Sequence, residues 1–281
     1  MTSLDTRHLD LRIVPVEQLF LHEETDPDRV NRLRTSMERD GILRNPPIVA
    51  EVPGSSPIRY VVLDGATRTT ATRAIGCHDI LVQVVPYDMT VIRLEAWYHL
   101  LRDNAARTVL DHLGHLDGAV VTMTTVAEAE AALAANEAAA AIMETPERTH
   151  LLTKASAETS VPHILRQLVR LYGGFGEIHR IVNDDLQATI RRAEGCPAIV
   201  LFPAWREADI LRAAAEGDLL PAGITRHVIP GRALNVNISL DMLDIAAPIE
   251  EKNAWLQRWL TAKVTGKKAR YYHEPVFVFD D

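Results

Sequence analysis

The sequence predicts an α/β protein of the α+β kind, and three observations carry that prediction. Strand-like apolar runs alternate with capped helical patterns through the first hundred residues, glycines punctuate their joints, and an alanine-rich helix and short apolar runs follow. A length of 281 residues with 47% hydrophobic content suffices for one large packed core or two modest ones.

In chain order, Arg12 to Val16 alternates as a strand, and a polar elbow at His22-Glu23-Glu24 leads to a helix start at Asp26-Pro27. Val30, Leu33 and Met37 recur at helical spacing, Gly41 stops that helix, and Pro47 to Val52 reads as a short strand. After the turn Pro53-Gly54-Ser55-Ser56-Pro57 come a strand at Arg59 to Leu63, the turn Asp64-Gly65, a helix from about Thr67 to Ile75, a Gly76 cap and a strand from Ile80 to Val85. A second helix is expected from Val91, carrying Trp97 and His99, then an alanine-rich helix at Thr124 to Asn136. Ala138 to Met143 and Leu151 to Lys154 flank a hairpin turn at Thr145 to Arg148, and Val161 to Tyr172 is a helix ending at Gly173-Gly174. The pattern closes with a helix at Glu207 to Glu216, a Gly/Pro-punctuated stretch at Pro221 to Arg232, a strand at Leu234 to Ile238, a helix at Glu250 to Val264 and a strand at Pro275 to Phe279.

Composition narrows the function classes. A formal charge of -8 and no concentrated basic stripe argue against a nucleic-acid partner, and the cluster from Lys263 to Arg270 reads as a solvated helix end. No run reaches the roughly 18 apolar residues that span a bilayer, and the polar, acidic start is no signal peptide, so a cytoplasmic protein with no membrane partner is expected. Cys77 and Cys196 lie far apart and read as quiet, partly buried thiols. His112 and His115 are three apart with no third ligand in sight, and no dedicated protein metal site is expected. Nothing in the sequence marks an oligomeric state.

Asp64-Gly65-Ala66-Thr67-Arg68 carries the most chemistry. A glycine after a buried strand lets the backbone approach a ligand, and the first helical amides, from Ala66 to Thr69, point at an anion with the helix dipole behind them. Thr67 and Thr69 add hydroxyls, Arg68 adds a charged fork suited to phosphate, and Asp64 is placed to hold magnesium through water or to fix the turn. Taken alone, the same pentapeptide reads as a tight turn followed by a surface arginine.

Val61-Val62-Leu63-Asp64-Gly65-Ala66-Thr67-Arg68, followed by Ala71, Ile75-Gly76-Cys77 and Val82-Gln83-Val84-Val85, resembles the ParB/sulfiredoxin-like superfamily, which binds nucleotide phosphates at this turn. Sulfiredoxin-like enzymes need a cysteine where this chain has Ala66, and chromosome-partitioning ParB proteins add a helix-turn-helix domain and a basic surface, neither evident here. The free L-serine kinase (SerK-like) branch is more similar, through Val14-Pro15-Val16 to Leu21-His22-Glu23, Asn45-Pro46-Pro47-Ile48-Val49, Trp97-Tyr98-His99, Pro221 to His227, Pro230-Gly231-Arg232 and Leu234-Asn235-Val236. One position departs from it: the family usually has a histidine before the turn arginine, and this chain has Thr67.

The resemblance implies a ParB/sulfiredoxin-like nucleotide-binding domain at 1–100, a larger α/β domain at 101–281 completing the serine site, and an active site in the cleft between them. It implies phosphoryl transfer from ATP or ADP, with Mg2+ carried by the nucleotide, to free L-serine, giving O-phospho-L-serine for amino-acid biosynthesis. Glu23 matches the family's catalytic glutamate, with Glu24 as the alternative; read locally, without the resemblance, the same loop is an exposed acidic segment near a helix N-terminus. Asn45 and the turn Gly65, Ala66, Thr67, Arg68 and Thr69 would bind the nucleotide, with Asp64 and Arg68 beside Glu23 as catalytic residues. Free serine presents a carboxylate and an ammonium; Thr225, Arg226, His227 and Arg232 would take the carboxylate, Trp97 supply a wall and His99 a hydrogen bond. Tyr172-Gly173-Gly174 and Arg180 either approach the nucleotide base or form a helix cap and a surface charge. Two rivals stand beside this expectation: a ParB-like nucleotide-binding transcriptional regulator, and a kinase for another hydroxy amino acid such as threonine, one methyl group being worth only about 1–3 kcal/mol of discrimination.

Overall fold

The computed structural model describes residues 9–175, 178–182, 186–266 and 268. In chain order the elements are β1 (Asp10–Pro15), β2 (Leu19–Leu21), α1 (Pro27–Asp40), β3 (Ile42–Leu43), β4 (Ile48–Glu51), β5 (Tyr60–Asp64), α2 (Ala66–Ile75) and β6 (Asp79–Val84). There follow β7 (Arg93–Ala96), β8 (Tyr98–Leu101), α3 (Asp103–His112), β9 (Ala119–Thr124), α4 (Val126–Ala134), β10 (Ala140–Thr145), β11 (Arg148–Lys154) and α5 (Val161–Tyr172). The chain continues through β12 (His179–Ile181), α6 (Leu186–Arg192), β13 (Ala198–Leu201), α7 (Glu207–Glu216), β14 (Thr225–Val228), β15 (Ile238–Ser239), α8 (Leu240–Asp244) and α9 (Ile249–Thr265).

Contacts divide these elements into two compact units. One holds the chain up to Phe20, Asp26–Tyr87 and the residues from Ile229 onward; the other holds Leu21–Thr25 and Asp88–Val228. Compactness thus groups residues differently from a single boundary at residue 100, because the chain returns to its first unit after Val228.

The first unit is built on a five-stranded sheet ordered β1-β6-β4-β5-β2. β4 runs antiparallel to β5, with Val49 opposite Val62, and parallel to β6, with Val49 opposite Val84. Both faces are covered, and Val49, Val61, Ile80, Leu81 and Val82 are fully buried. α1 begins where the Asp26 carboxylate accepts from the amides of Asp28 and Arg29, and it ends at Gly41 in the left-handed conformation. β1 lies on the sheet edge, where the Asn253 amide of α9 both accepts from Ile13 N (2.9 Å) and donates to Ile13 O (2.7 Å).

One residue earlier on α9, Lys252 is 2% exposed and its Nζ lies 2.6 Å from Asp79 Oδ2 and 2.8 Å from Leu243 O. Removing one partner of a buried pair leaves the other charge uncompensated. Lys252→Ala is therefore expected to lower unfolding stability by about 3–5 kcal/mol in urea denaturation, and the Lys252→Met/Asp79→Asn double variant to regain most of the loss.

The second unit carries a six-stranded antiparallel sheet ordered β12-β8-β13-β10-β11-β9, and a separate ribbon in which β14 pairs with β7. α4 and α6 cover one side through Ala129, Leu133 and Ile190 against Met143, Ile199 and Leu201. A capping box, Thr125 with Glu128, starts α4, and Ser160 caps α5 at the His163 amide.

Most elements expected from the sequence are present, and two readings are corrected. Residues from Val91 form no helix: β7 and β8 occupy 93–101, and the helix begins at Asp103. Leu94, Trp97, Tyr98 and Leu101 satisfy helical spacing, but hydrogen bonding to β14, β12 and β13 decides the conformation. The expected strand at 234–238 shrinks to Ile238–Ser239, while β14 forms inside the stretch read as punctuated loop. Cys77 is buried, as expected, but Cys196 is exposed. The strand expected at 275–279 lies outside the described residues. Among the described residues no helix is long and apolar enough to cross a membrane.

Candidate active site

The turn after β5 has the geometry its glycine predicts. Gly65 sits at φ +103°, and a Cβ there would lie 2.9 Å from Arg68 Nη2 and 3.0 Å from Pro47 Cα, so any side chain would be strained and would crowd Arg68 and Pro47. Beyond it α2 starts with no side-chain cap, and the amides of Ala66, Thr67 and Arg68 meet no backbone acceptor among the described residues. Thr69 differs from expectation: its amide closes the first helical turn on Gly65 O (2.9 Å), and its fully buried hydroxyl has no hydrogen-bond partner. Three amides, not four, are thus available to an anion.

Asp64 is an anchor for arginines. Its Oδ2 accepts from Arg68 Nη2 at 3.0 Å and from Arg232 Nη1 at 2.9 Å, so two guanidinium groups share one carboxylate. Arg68 Nε is buried with no hydrogen-bond partner. Arg232, expected with the serine carboxylate, belongs instead to the first unit, on the same side chain as the turn arginine.

The segment that brings Arg232 there is tied down at both ends. Gln83, 1% exposed in the middle of β6, donates from Nε2 to Gly231 O (2.9 Å) and accepts at Oε1 from Ala233 N (2.8 Å). Asn45, expected to bind nucleotide, accepts at Oδ1 from Asn235 N at 2.7 Å. Sequence reasoning missed Gln83 as a site residue. Its signal was a lone amide in the apolar run Ile80-Leu81-Val82-Gln83-Val84, a position where a polar side chain needs partners.

In the second unit, Glu23 forms a parallel bridge with Leu220, and its Oε2 accepts from Gly223 N (3.2 Å) and Thr225 Oγ1 (3.3 Å). Oε1 is left for another partner. Thr225, expected on the substrate carboxylate, spends its proton on Glu23, so its oxygen accepts from His22 Nε2 at 3.0 Å. His22 is 1% exposed and meets the ring of His227 edge-on, 5.4 Å between centroids. Glu24 is engaged otherwise, 3.1 Å from Arg170 and 4.0 Å from Arg166 of α5. Both carboxylates keep one oxygen clear of these contacts, but Glu24 is paired with arginines of α5 whereas Glu23 is held by two neutral donors, Gly223 N and Thr225 Oγ1.

Arg226 reaches Glu95 Oε2 at 3.0 Å and lies over the Trp97 ring, 4.5 Å from its centroid, so these three side chains form one unit on the β7–β14 ribbon. His99 is fully buried on β8, with Nδ1 2.8 Å from the Tyr172 hydroxyl and Nε2 3.2 Å from Gly223 O. Burial pushes its imidazole down to about 4, helped by the nearby charge of Arg180. Its folded value lies below its unfolded one near 6.5, so the unfolded chain takes up the proton first as pH falls. The stability contributed by neutral His99 is thus complete above about 6.5 and is lost across the window down to about 4, amounting to about 3 kcal/mol. Urea titrations at pH 7 and pH 4.5 should show that loss, and it should be smaller in His99→Gln.

Among the described residues no three histidine, cysteine or carboxylate side chains converge as a metal cage. Asp64 is the acidic group beside the open amides, and with Oδ2 committed to arginine its Oδ1 remains for a hydrated cation. That fits an ion delivered with a phosphate ligand.

The fold is that of solved serine-kinase structures. The free serine kinase solved with AMP superposes with a TM-score of 0.70 over 84% of this chain and 94% of that one, at 18% identity. That kinase has also been solved with ADP, with one glutamate replaced by alanine. The C-terminally truncated SbnI of Staphylococcus aureus superposes with a TM-score of 0.72 over 95% of this chain and all of the other, at 23% identity. By sequence the chain is similar to the ATP-dependent L-serine kinase SbnI of S. aureus, 26% identical over 97% of this chain and 98% of that one. The ATP-dependent L-serine kinase of Staphylothermus marinus is 28% identical over 97 residues, 34% of this chain and 38% of that one. No family model matches the sequence.

Proposed function

We propose that this protein is a free L-serine kinase, transferring the terminal phosphoryl group of ATP to the serine hydroxyl to give O-phospho-L-serine and ADP. The observation that carries the reading is Glu23, with one carboxylate oxygen held by Gly223 and Thr225 and the other open. The full-length likeness to proteins named ATP-dependent L-serine kinase supports the same reaction.

In this reading Glu23 Oε1 takes the proton of the serine hydroxyl as the oxygen bonds to the terminal phosphorus and the bond from that phosphorus to ADP breaks. The amides of Ala66, Thr67 and Arg68, with the guanidinium groups of Arg68 and Arg232, hold the phosphate oxygens and offset charge that spreads over them in the transition state. Magnesium, bound with the nucleotide and steadied through Asp64, would neutralise part of that phosphate charge. Trp97 and Arg226 form the wall and cation for the amino acid. Thr225 acts on Glu23, and His99 on the backbone at Gly223.

The test is direct. Purified protein is incubated with L-serine and magnesium, with ATP in one arm and ADP in the other, and O-phospho-L-serine is followed by 31P NMR; threonine and homoserine serve as competing acceptors. Formation of phosphoserine with ATP is expected. Absence of any phospho-amino acid with both donors would sink the reading.

A further inference from the structure

Tyr172 lies at the end of α5 and is 1% exposed, and nothing in the reaction above uses it. Its hydroxyl is 2.8 Å from His99 Nδ1. His99 Nε2 is 3.2 Å from Gly223 O, and Gly223 N is 3.2 Å from Glu23 Oε2. Four residues from four separate parts of the second unit therefore form one line of hydrogen bonds ending on the candidate base.

The chemistry of the partners orients that line. A carbonyl oxygen only accepts, so the nitrogen facing Gly223 O must carry hydrogen. An imidazole buried away from water is neutral and has one N–H, so Nδ1 is bare and must accept. The Tyr172 hydroxyl, itself kept protonated by burial, supplies that donor. Were the hydroxyl absent, the proton could move to Nδ1, and Nε2 would then aim a lone pair at the Gly223 carbonyl. The peptide at Gly223 would move, and the amide on its other side holds Glu23.

The line is closely packed. Gly223 adopts φ +78°, and a Cβ on it would fall 2.1 Å from Arg180 Nη2, so the side chain of β12 packs directly on the glycine. The rings of Tyr172 and Phe202 meet His99 edge-on, at centroid distances of 5.8 and 5.1 Å.

We propose that Tyr172 is a positioning residue for phosphoryl transfer: it fixes His99 as the Nε2–H tautomer, and His99 sets Gly223 so that its amide holds Glu23 in the orientation of a base. This rests on Glu23 being the base of the kinase reading. No contact of Tyr172 or His99 with serine or nucleotide is required.

The experiment compares wild type, Tyr172→Phe, His99→Gln and His99→Leu by kinetics and by 15N–1H NMR of the His99 ring and the Gly223 amide. In the wild type, Nε2 is expected to be the protonated ring nitrogen. Tyr172→Phe is expected to shift the tautomer toward Nδ1–H, move the Gly223 amide resonance, and lower kcat about tenfold with both KM values within about twofold, the size of one misplaced hydrogen bond. His99→Gln, which keeps an N–H for Gly223 O, should retain more activity than His99→Leu. Thermal unfolding of each variant checks that the loss is measured on folded protein. An Nδ1–H tautomer in the wild type would overturn the proposal, as would Tyr172→Phe with unchanged tautomer and kcat, or equal losses in both His99 variants. If the wild type phosphorylates no amino acid, the kinase reading falls, and the NMR arm still decides how Tyr172 and His99 hold Gly223.

Discussion

Replacement of Glu23 by glutamine is expected to lower kcat for serine phosphorylation about 10²–10⁴-fold, with KM for serine and ATP within about threefold. Glutamine keeps the shape of the side chain, and its carbonyl oxygen can still accept from Gly223 N and Thr225 Oγ1. What it loses is the ability to take a proton. Glu24→Gln is the matched control. That carboxylate is paired with Arg170 and Arg166, and its loss should leave kcat near wild type, since exposed ion pairs contribute only about 0–1 kcal/mol. Progress curves at saturating serine and ATP separate the two variants. Equal losses in both would move the base elsewhere.

Arg68→Ala is expected to lower kcat/KM for ATP about 10²–10³-fold, with a much smaller change in KM for serine. Arg68 holds Asp64 and has one buried nitrogen without a partner, so its removal strips a donor from the anion turn and leaves Arg232 alone on the carboxylate. Lysine should restore little, because a point charge cannot both hold Asp64 and present a planar fork to phosphate. Calorimetric titration of magnesium-ATP, without serine, reads the binding part of this loss. An Arg68→Ala protein that binds ATP as wild type does would remove the arginine from the phosphate site.

The parts of the site legible in the sequence are those that lie close together in it. Gly65 between a buried strand and a helix start, Gly76 after it, and Asp26 with Pro27 ahead of α1 state their own backbone geometry, and the structure has each of them. What could not be read locally is pairing over distance. Asp64 and Arg232 are 168 residues apart, and the Glu23 and Thr225 side chains meet across 202. Nothing in either neighbourhood announces the partner, so neither the Asp64–Arg232 nor the Glu23–Thr225 contact can be read from the sequence. The stretch 93–101 shows the same limit for secondary structure. Its apolar residues satisfy a helix as well as a strand, and hydrogen bonds to residues 179–181, 198–200 and 225–228 make it strand.

The brief passage of Leu21–Thr25 into the second unit also bears on the order in which the protein gains activity during synthesis. Closing the loop between Glu23 and Gly223, 200 residues apart, carries an entropy cost of about 5 kcal/mol and places this contact among the late events of folding. A nascent chain can complete β5, the glycine turn and α2 while its glutamate still lacks both hydrogen-bond donors. Only after residues 220–225 have been made can that side chain be set, so any fragment ending earlier carries the glycine turn with Glu23 lacking its Gly223 and Thr225 donors.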